Sequence, residues 1–147
     1  MEYKTVTLKE FQIVGITIRT TNEHDTAMKD IGVLWNKFYF DNIMEEIPQK
    51  VNEEIISLYT DYEKDFTKPY SVILGHKVNN NNFVPDGMAS KTVPAAKYAV
   101  FHVEGQLPQE LIKVWKWIWK SDLERTYTGD FEVYKKENEA DIFVAVN

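Results

Sequence analysis

The sequence predicts an α+β fold: duplicated βαββ modules joined into one curved antiparallel sheet, with the helices on one face. Three observations predict it. Strand-like and helix-like stretches follow the same order in each half of the 147 residues. Ile56-Ser57-Leu58-Tyr59 of one half aligns with Phe131-Glu132-Val133-Tyr134 of the other, which supports a duplication. Between them, residues 79–87 (Asn79 through Asn82, Pro85, Asp86, Gly87) are rich in types that favour turns. The chain therefore reads as one domain over 1–147, with module one at about 1–78, a linker at 79–87 and module two at about 88–147.

Each element has a local reason. Residues 11–19 are rich in β-branched types and predict a strand. Asp25 or Thr26 can cap the helix that follows, in which Ile31, Leu34, Trp35 and Phe38 recur at helical spacing; Pro48 closes that region. Residues 54–59 and 70–76 predict a hairpin, with the polar segment 63–69 as its turn. In the second half, residues 97–103 predict a strand that ends near Gly105. Pro108 suits the first turn of a helix whose apolar stripe is Leu111, Val114, Trp115, Ile118 and Trp119. Residues 131–134 and 141–146 complete a second hairpin. Two separate sheets would leave exposed edges, so one continuous sheet is the economical solution, its helix-free face concave, with Glu132, Tyr134 and Tyr59 among the residues expected to point into it.

Composition narrows the function. Apolar residues are 44 % and aromatics 14 %, more aromatic surface than a core alone requires. No apolar run approaches a membrane span, and Met1-Glu2-Tyr3-Lys4 does not begin a signal peptide, so the expected location is the cytoplasm. There is no cysteine, hence no disulfide and no thiolate metal site. The net charge of −6 repels nucleic acid and attracts cations. Lys113, Lys116 and Lys120 are interleaved with Glu110, Asp122 and Glu124, a solvated helix face rather than a phosphate track. His24, His76 and His102 form no spaced metal motif, and Asp61, Glu63 and Asp65 lack the glycine and terminal glutamate of a calcium loop. No phosphate loop or nucleophile elbow is present, Ser57 has no evident base, and no cofactor is expected.

The strand Phe131 to Tyr134 carries the strongest chemical signal. Alternation sends Phe131 and Val133 to one face, Glu132 and Tyr134 to the other. Alternation alone favours Glu132 as a solvent-facing carboxylate on a half-buried strand. A buried carboxylate needs compensation, which a cation held over Tyr134 would supply. Tyrosines suit pocket walls because each joins an aromatic face to a polar tip, and Tyr59, Tyr62, Tyr98 and Tyr134 are the candidates. On the helix, Trp115 and Trp119 are expected on the sheet and Trp117 on the surface or at an interface. Trp35 reads first as a core residue, with a place at the pocket mouth as the alternative.

The chain resembles the GyrI-like effector-binding domains, found alone or fused to regulators of the AraC and MerR types. The resemblance rests on Trp35 with Phe38, Tyr59-Thr60-Asp61-Tyr62, Val84-Pro85-Asp86-Gly87-Met88, Lys97-Tyr98-Ala99-Val100-Phe101, the Trp115 helix and Asp130-Phe131-Glu132-Val133-Tyr134. It is most similar to the stand-alone branch that includes integron-cassette effector-binding proteins. The resemblance implies a ligand pocket between the modules, with Glu132 as the buried glutamate that pairs with lipophilic, cationic drugs. This favours the functional reading of Glu132 over the solvent-facing one. Phe143 and Ala145 stand where the family often has tyrosine and proline on its last strand. The candidate ligand contacts are Glu132, Tyr134, Tyr59, Tyr98, Trp35, Trp115 and Phe143.

The expected function is small-molecule binding by a stand-alone domain, the ligand a lipophilic cation, with no room for a helix-turn-helix and no direct contact with nucleic acid or membrane. Two alternatives stay open. A GyrI-like hydrolase of strained cyclopropane compounds would use Glu132 as general base and Tyr134 to position the substrate. An interaction protein would act on DNA gyrase or a transcription regulator as its partner.

Overall fold

The computed structural model describes residues 1–147 as a single eight-stranded antiparallel sheet carrying its helices on one face. In chain order the elements are β1 (Lys4–Leu8), β2 (Phe11–Thr20), α1 (Thr26–Phe40), α2 (Ile43–Glu46), β3 (Ile55–Thr60), β4 (Tyr70–Val78), β5 (Ala89–Val93), β6 (Ala96–Glu104), α3 (Gln109–Lys120), β7 (Asp130–Lys136) and β8 (Glu139–Val146). The spatial order is β1-β6-β8-β7-β3-β4-β2-β5. Exchanging the two halves reverses that order onto itself, so the sheet has a pseudo-twofold centre between β3 and β7. Ser57 and Glu132, which the sequence alignment equates, are cross-strand partners at that centre.

Two strands were not expected. Each half begins with an extra short strand, and each pairs with the other half: β1 with β6, β5 with β2. This exchange dictates the sheet's shape. In a flat sheet β1 and β2 would lie six strand spacings apart, about 29 Å. Only Lys9 and Glu10 join them, a reach of about 11 Å. Pro94 and Ala95 impose the same limit on β5 and β6. The sheet must therefore curl until its ends meet.

The curl fills the helix-free face with side chains. Phe11, Ile13, Leu58, Val100, Phe131 and Val133 pack there, with Phe131 5.2 Å from Phe11 and 4.6 Å from Phe143. The expectation that Glu132, Tyr134 and Tyr59 face a concavity on this side is corrected: this face is closed core. Gly15 and Gly75 face each other on β2 and β4, where a Cβ on either would overlap the other strand's carbonyl oxygen.

On the opposite face α1 packs Ala27, Leu34 and Phe38 over β2 and β4, and α3 packs Leu111 and Ile118 over β6 and β8. Each of the larger buried side chains, Leu34, Phe38, Leu111 and Ile118, contributes about 1.5–3 kcal/mol. Asp25 stands at the start of α1, but in a left-handed conformation that leaves its side chain without a capping bond. Pro108 directly precedes the first residue of α3. Trp117 is not on an open surface: it packs on Phe101, ring centroids 5.8 Å apart. No helix is long and apolar enough to cross a membrane.

Candidate functional site

The two helices leave a trough between them, because each covers only its own half of the sheet. At its floor, over the pseudo-twofold centre, lies a cavity of about 290 Å³. Of its 20 lining residues 13 are hydrophobic, so a ligand would meet apolar surface with a few fixed polar groups. From α1 come Met28, Ile31 and Trp35; from α3, Leu111, Trp115 and Trp119; from the sheet, Tyr59, Tyr70, Glu132 and Tyr134.

Glu132 is 3 % exposed. Strand alternation turns it toward the helices, since Phe131 and Val133 take the core on the other face. Its Oε1 accepts the Tyr134 hydroxyl at 2.6 Å and its Oε2 accepts the Trp115 indole N–H at 2.7 Å. It makes no ion pair with any basic residue of the chain. Burial raises its pKa above the ordinary carboxylate value, and the donors Tyr134, Trp115 and Tyr59 pull it partly back. The same burial, with the Glu132 charge nearby, raises the Tyr59 and Tyr134 hydroxyls well above their ordinary value, so both remain neutral donors.

The aromatic rings meet edge to face around the carboxylate. Trp35 lies 4.8 Å from Tyr134, and Trp115 lies 5.5 Å from Tyr59. Tyr59 and Tyr134 flank Glu132 in opposite directions along the strands, opposite Asp130 and Ile55 respectively. Farther out, Trp119 stacks on Phe66 at 5.7 Å, and Tyr62 lies 5.5 Å from Tyr70.

Of the seven candidate contacts, the structure brings together Glu132, Tyr134, Tyr59, Trp35 and Trp115. Tyr98 and Phe143 are corrected. They point into the closed core on the other face, where Tyr98 is 1 % exposed and lies 5.3 Å from Phe131. Burial there pushes the Tyr98 hydroxyl up to about 12. The reason is the curl imposed by β1 and β5, which turns that face inward. Tyr62, a further tyrosine candidate, lines the cavity and donates its hydroxyl to Asp130 at 2.6 Å.

Other lining residues escaped the sequence reading. Phe66 sits in the polar segment assigned to a turn; as its lone aromatic it needed an apolar partner, which is Trp119. Arg125 follows α3 in a stretch that reads as solvated, yet its side chain is 4 % exposed and paired with Asp130 at 2.8 Å. Tyr70 was read only as part of a strand. Of the histidines, His102 is exposed between Asp141 and Glu104, away from the cavity, and His76 is buried with Nδ1 2.9 Å from the Glu54 carbonyl.

Over residues 4–146 the sequence matches the profile of the Cass2 family, described as integron-associated effector binding protein. The chain belongs to this family. An integron cassette protein from the mobile metagenome of Vibrio cholerae has a similar structure, with TM-score 0.81 and 31 % identity over 99 % of this chain and 95 % of that one. The protein YobU of Bacillus subtilis (strain 168), whose name proposes a transcriptional regulator, is 31 % identical over 132 residues, 86 % of this chain and 81 % of its own. SAV2435, solved bound to tetraphenylphosphonium, shares the fold at TM-score 0.83 and 19 % identity, over 100 % of this chain and 94 % of that one. The effector-binding family expected from the sequence is thus the family found.

Proposed function

We propose that this effector-binding protein takes up lipophilic cations in the cavity between α1 and α3. Glu132 supplies the counter-charge, and Tyr59, Tyr134, Trp35 and Trp115 supply the walls. One observation carries the reading: a buried carboxylate lines an apolar cavity with neutral donors on both oxygens and no basic partner. Desolvating a carboxylate is costly, and a cation entering from outside offsets that cost. Aromatic faces add cation–π attraction and adapt to planar groups of many shapes. The lipophilic cation carried by SAV2435, a protein of the same fold, is consistent with this chemistry.

The test is a calorimetric titration of (4-benzylbenzyl)trimethylammonium and its uncharged tert-butyl isostere against wild type and Glu132→Gln. The expected result is a selective loss of the cation in the variant. Equal loss of both compounds, or no cation binding by folded wild type, sinks the reading.

A further inference from the structure

Glu132 does not account for all the cavity's polar chemistry. Arg125 lines it too. Its Nη2 donates to Asp130 Oδ2 at 2.8 Å. Asp130 is fully engaged, since Oδ2 also accepts the Tyr62 hydroxyl and Oδ1 accepts the Ala145 N–H at 2.8 Å. The guanidinium is not: Nε and Nη1 are buried and have no hydrogen-bond partner in the protein. A guanidinium has five N–H donors and no acceptor, and donors left unpaired away from water cost free energy.

Packing holds the group in place. Its carbon lies 4.4 Å from the Tyr127 ring centre, 5.9 Å from Trp115 and 6.0 Å from Phe66. Trp115 therefore connects two polar groups of opposite character, its N–H on Glu132 and its ring beside Arg125.

The geometry points to a second subsite, and this step rests on the cation-binding reading above. Arg125 receives a hydrogen-bond acceptor, and the ligands this cavity takes best carry a neutral acceptor such as a carbonyl oxygen beside their cationic centre. A neutral group fits better than a carboxylate. Asp130 already offsets the Arg125 charge, and Glu132 in the same cavity repels an anion.

The experiment compares (4-benzoylbenzyl)trimethylammonium with (4-benzylbenzyl)trimethylammonium, which differ only by a carbonyl in place of a methylene. Wild type should bind the ketone about tenfold more tightly, the low end for a hydrogen bond from a charged donor. Arg125→Lys, which keeps a positive charge for Asp130, should lose that preference while still binding the methylene compound. In wild type the Arg125 Nε–H resonance should shift with the ketone and not with the methylene compound, a readout that does not need the variant to fold. Equal affinities in wild type, or a preference that survives in Arg125→Lys, overturn the subsite. A carboxylate-bearing analogue that binds more tightly than the ketone overturns the choice of a neutral acceptor. If both cations bind equally and both need Glu132, the Arg125 inference fails and the cation reading stands; if neither binds, both fail.

Discussion

Replacing Glu132 by glutamine should weaken cation binding and, in the empty protein, raise stability. The binding term follows from the geometry. A cationic centre about 4 Å from the carboxylate gains about 4 kcal/mol at an effective dielectric constant near 20. Desolvating the cation takes part of that back, which leaves the low end of the roughly 2–5 kcal/mol lost when one partner of a buried charge pair is truncated. About 2 kcal/mol corresponds to about a 30-fold rise in Kd. The stability term has the opposite sign. Burial raises the folded pKa of Glu132 above 4.5, so folding favours the protonated acid. Its contribution is fully present below the unfolded pKa and is lost as pH rises through the folded one. Glutamine does not titrate, so the empty variant should gain on wild type across that window. Over the same window, wild-type affinity for a quaternary ammonium should climb, because only the ionised carboxylate pairs with it. Thermal unfolding and calorimetric titration on both proteins, from below 4.5 to neutral pH, measure both terms. A variant less stable than wild type at neutral pH, or one that loses cation and neutral isostere alike, would refute the reasoning and make Glu132 a structural residue.

Other outcomes follow from the same geometry. Trp115→Phe removes an N–H donor from the carboxylate, worth about 1.5–3 kcal/mol to a charged acceptor. The pH midpoint of cation affinity should therefore move upward, and an unmoved midpoint would deny the indole its role. Lys116, exposed at the cavity mouth, opposes an approaching cation. Lys116→Glu should speed association in stopped-flow at low salt, and the gain should vanish near 1 M salt, where the screening length is about 3 Å. Gly15→Ala forces a Cβ into the Leu74 carbonyl, so a loss of about 3 kcal/mol or more in urea unfolding is expected.

The parts of this fold that were legible in the sequence have local signals. Helical spacing marked Leu34, Trp35 and Phe38, and Leu111, Trp115 and Ile118. Alternation separated Glu132 from Phe131, and the repeat related it to Ser57 and Tyr59. The strands β1 and β5 are short, and although β1 (Lys4-Thr5-Val6-Thr7-Leu8) alternates and is β-branched, nothing local says which strand either one pairs with. Each is five residues long, lies at a sheet edge and pairs with a strand of the other half; Lys4, for example, pairs with Val100. A contact that remote leaves little trace in local pattern. Without those strands nothing closes the sheet, so the helix-free face reads as open. Local pattern therefore could not show that the face carrying Tyr98 and Phe143 is closed core and that the cavity lies in the trough between the helices. Arg125 was hidden for a different reason: a basic residue after a helix reads as solvated unless its buried partner, here Asp130, is known.

The duplication also explains why the site holds one carboxylate rather than two. Ser57 and Glu132 occupy equivalent places and face each other across the pseudo-twofold centre. Side chains so paired have Cβ atoms about 4.5–5.5 Å apart. Two glutamates there could not both ionise in a buried site; one pKa would rise strongly and the pair would share a proton. The site would still hold about one negative charge, with an added acid crowding the cavity floor. Ser57→Glu should therefore bring no gain in cation affinity at neutral pH, and carboxyl NMR should show two coupled titrations in place of one. A gain near the full worth of a second ion pair would mean that the site is far wetter than its geometry indicates. A serine at one position leaves a single charge between Tyr59 and Tyr134, which flank it in opposite directions along the strands. A ligand's positive centre then has one place to sit, while the rings on either side accommodate its apolar bulk.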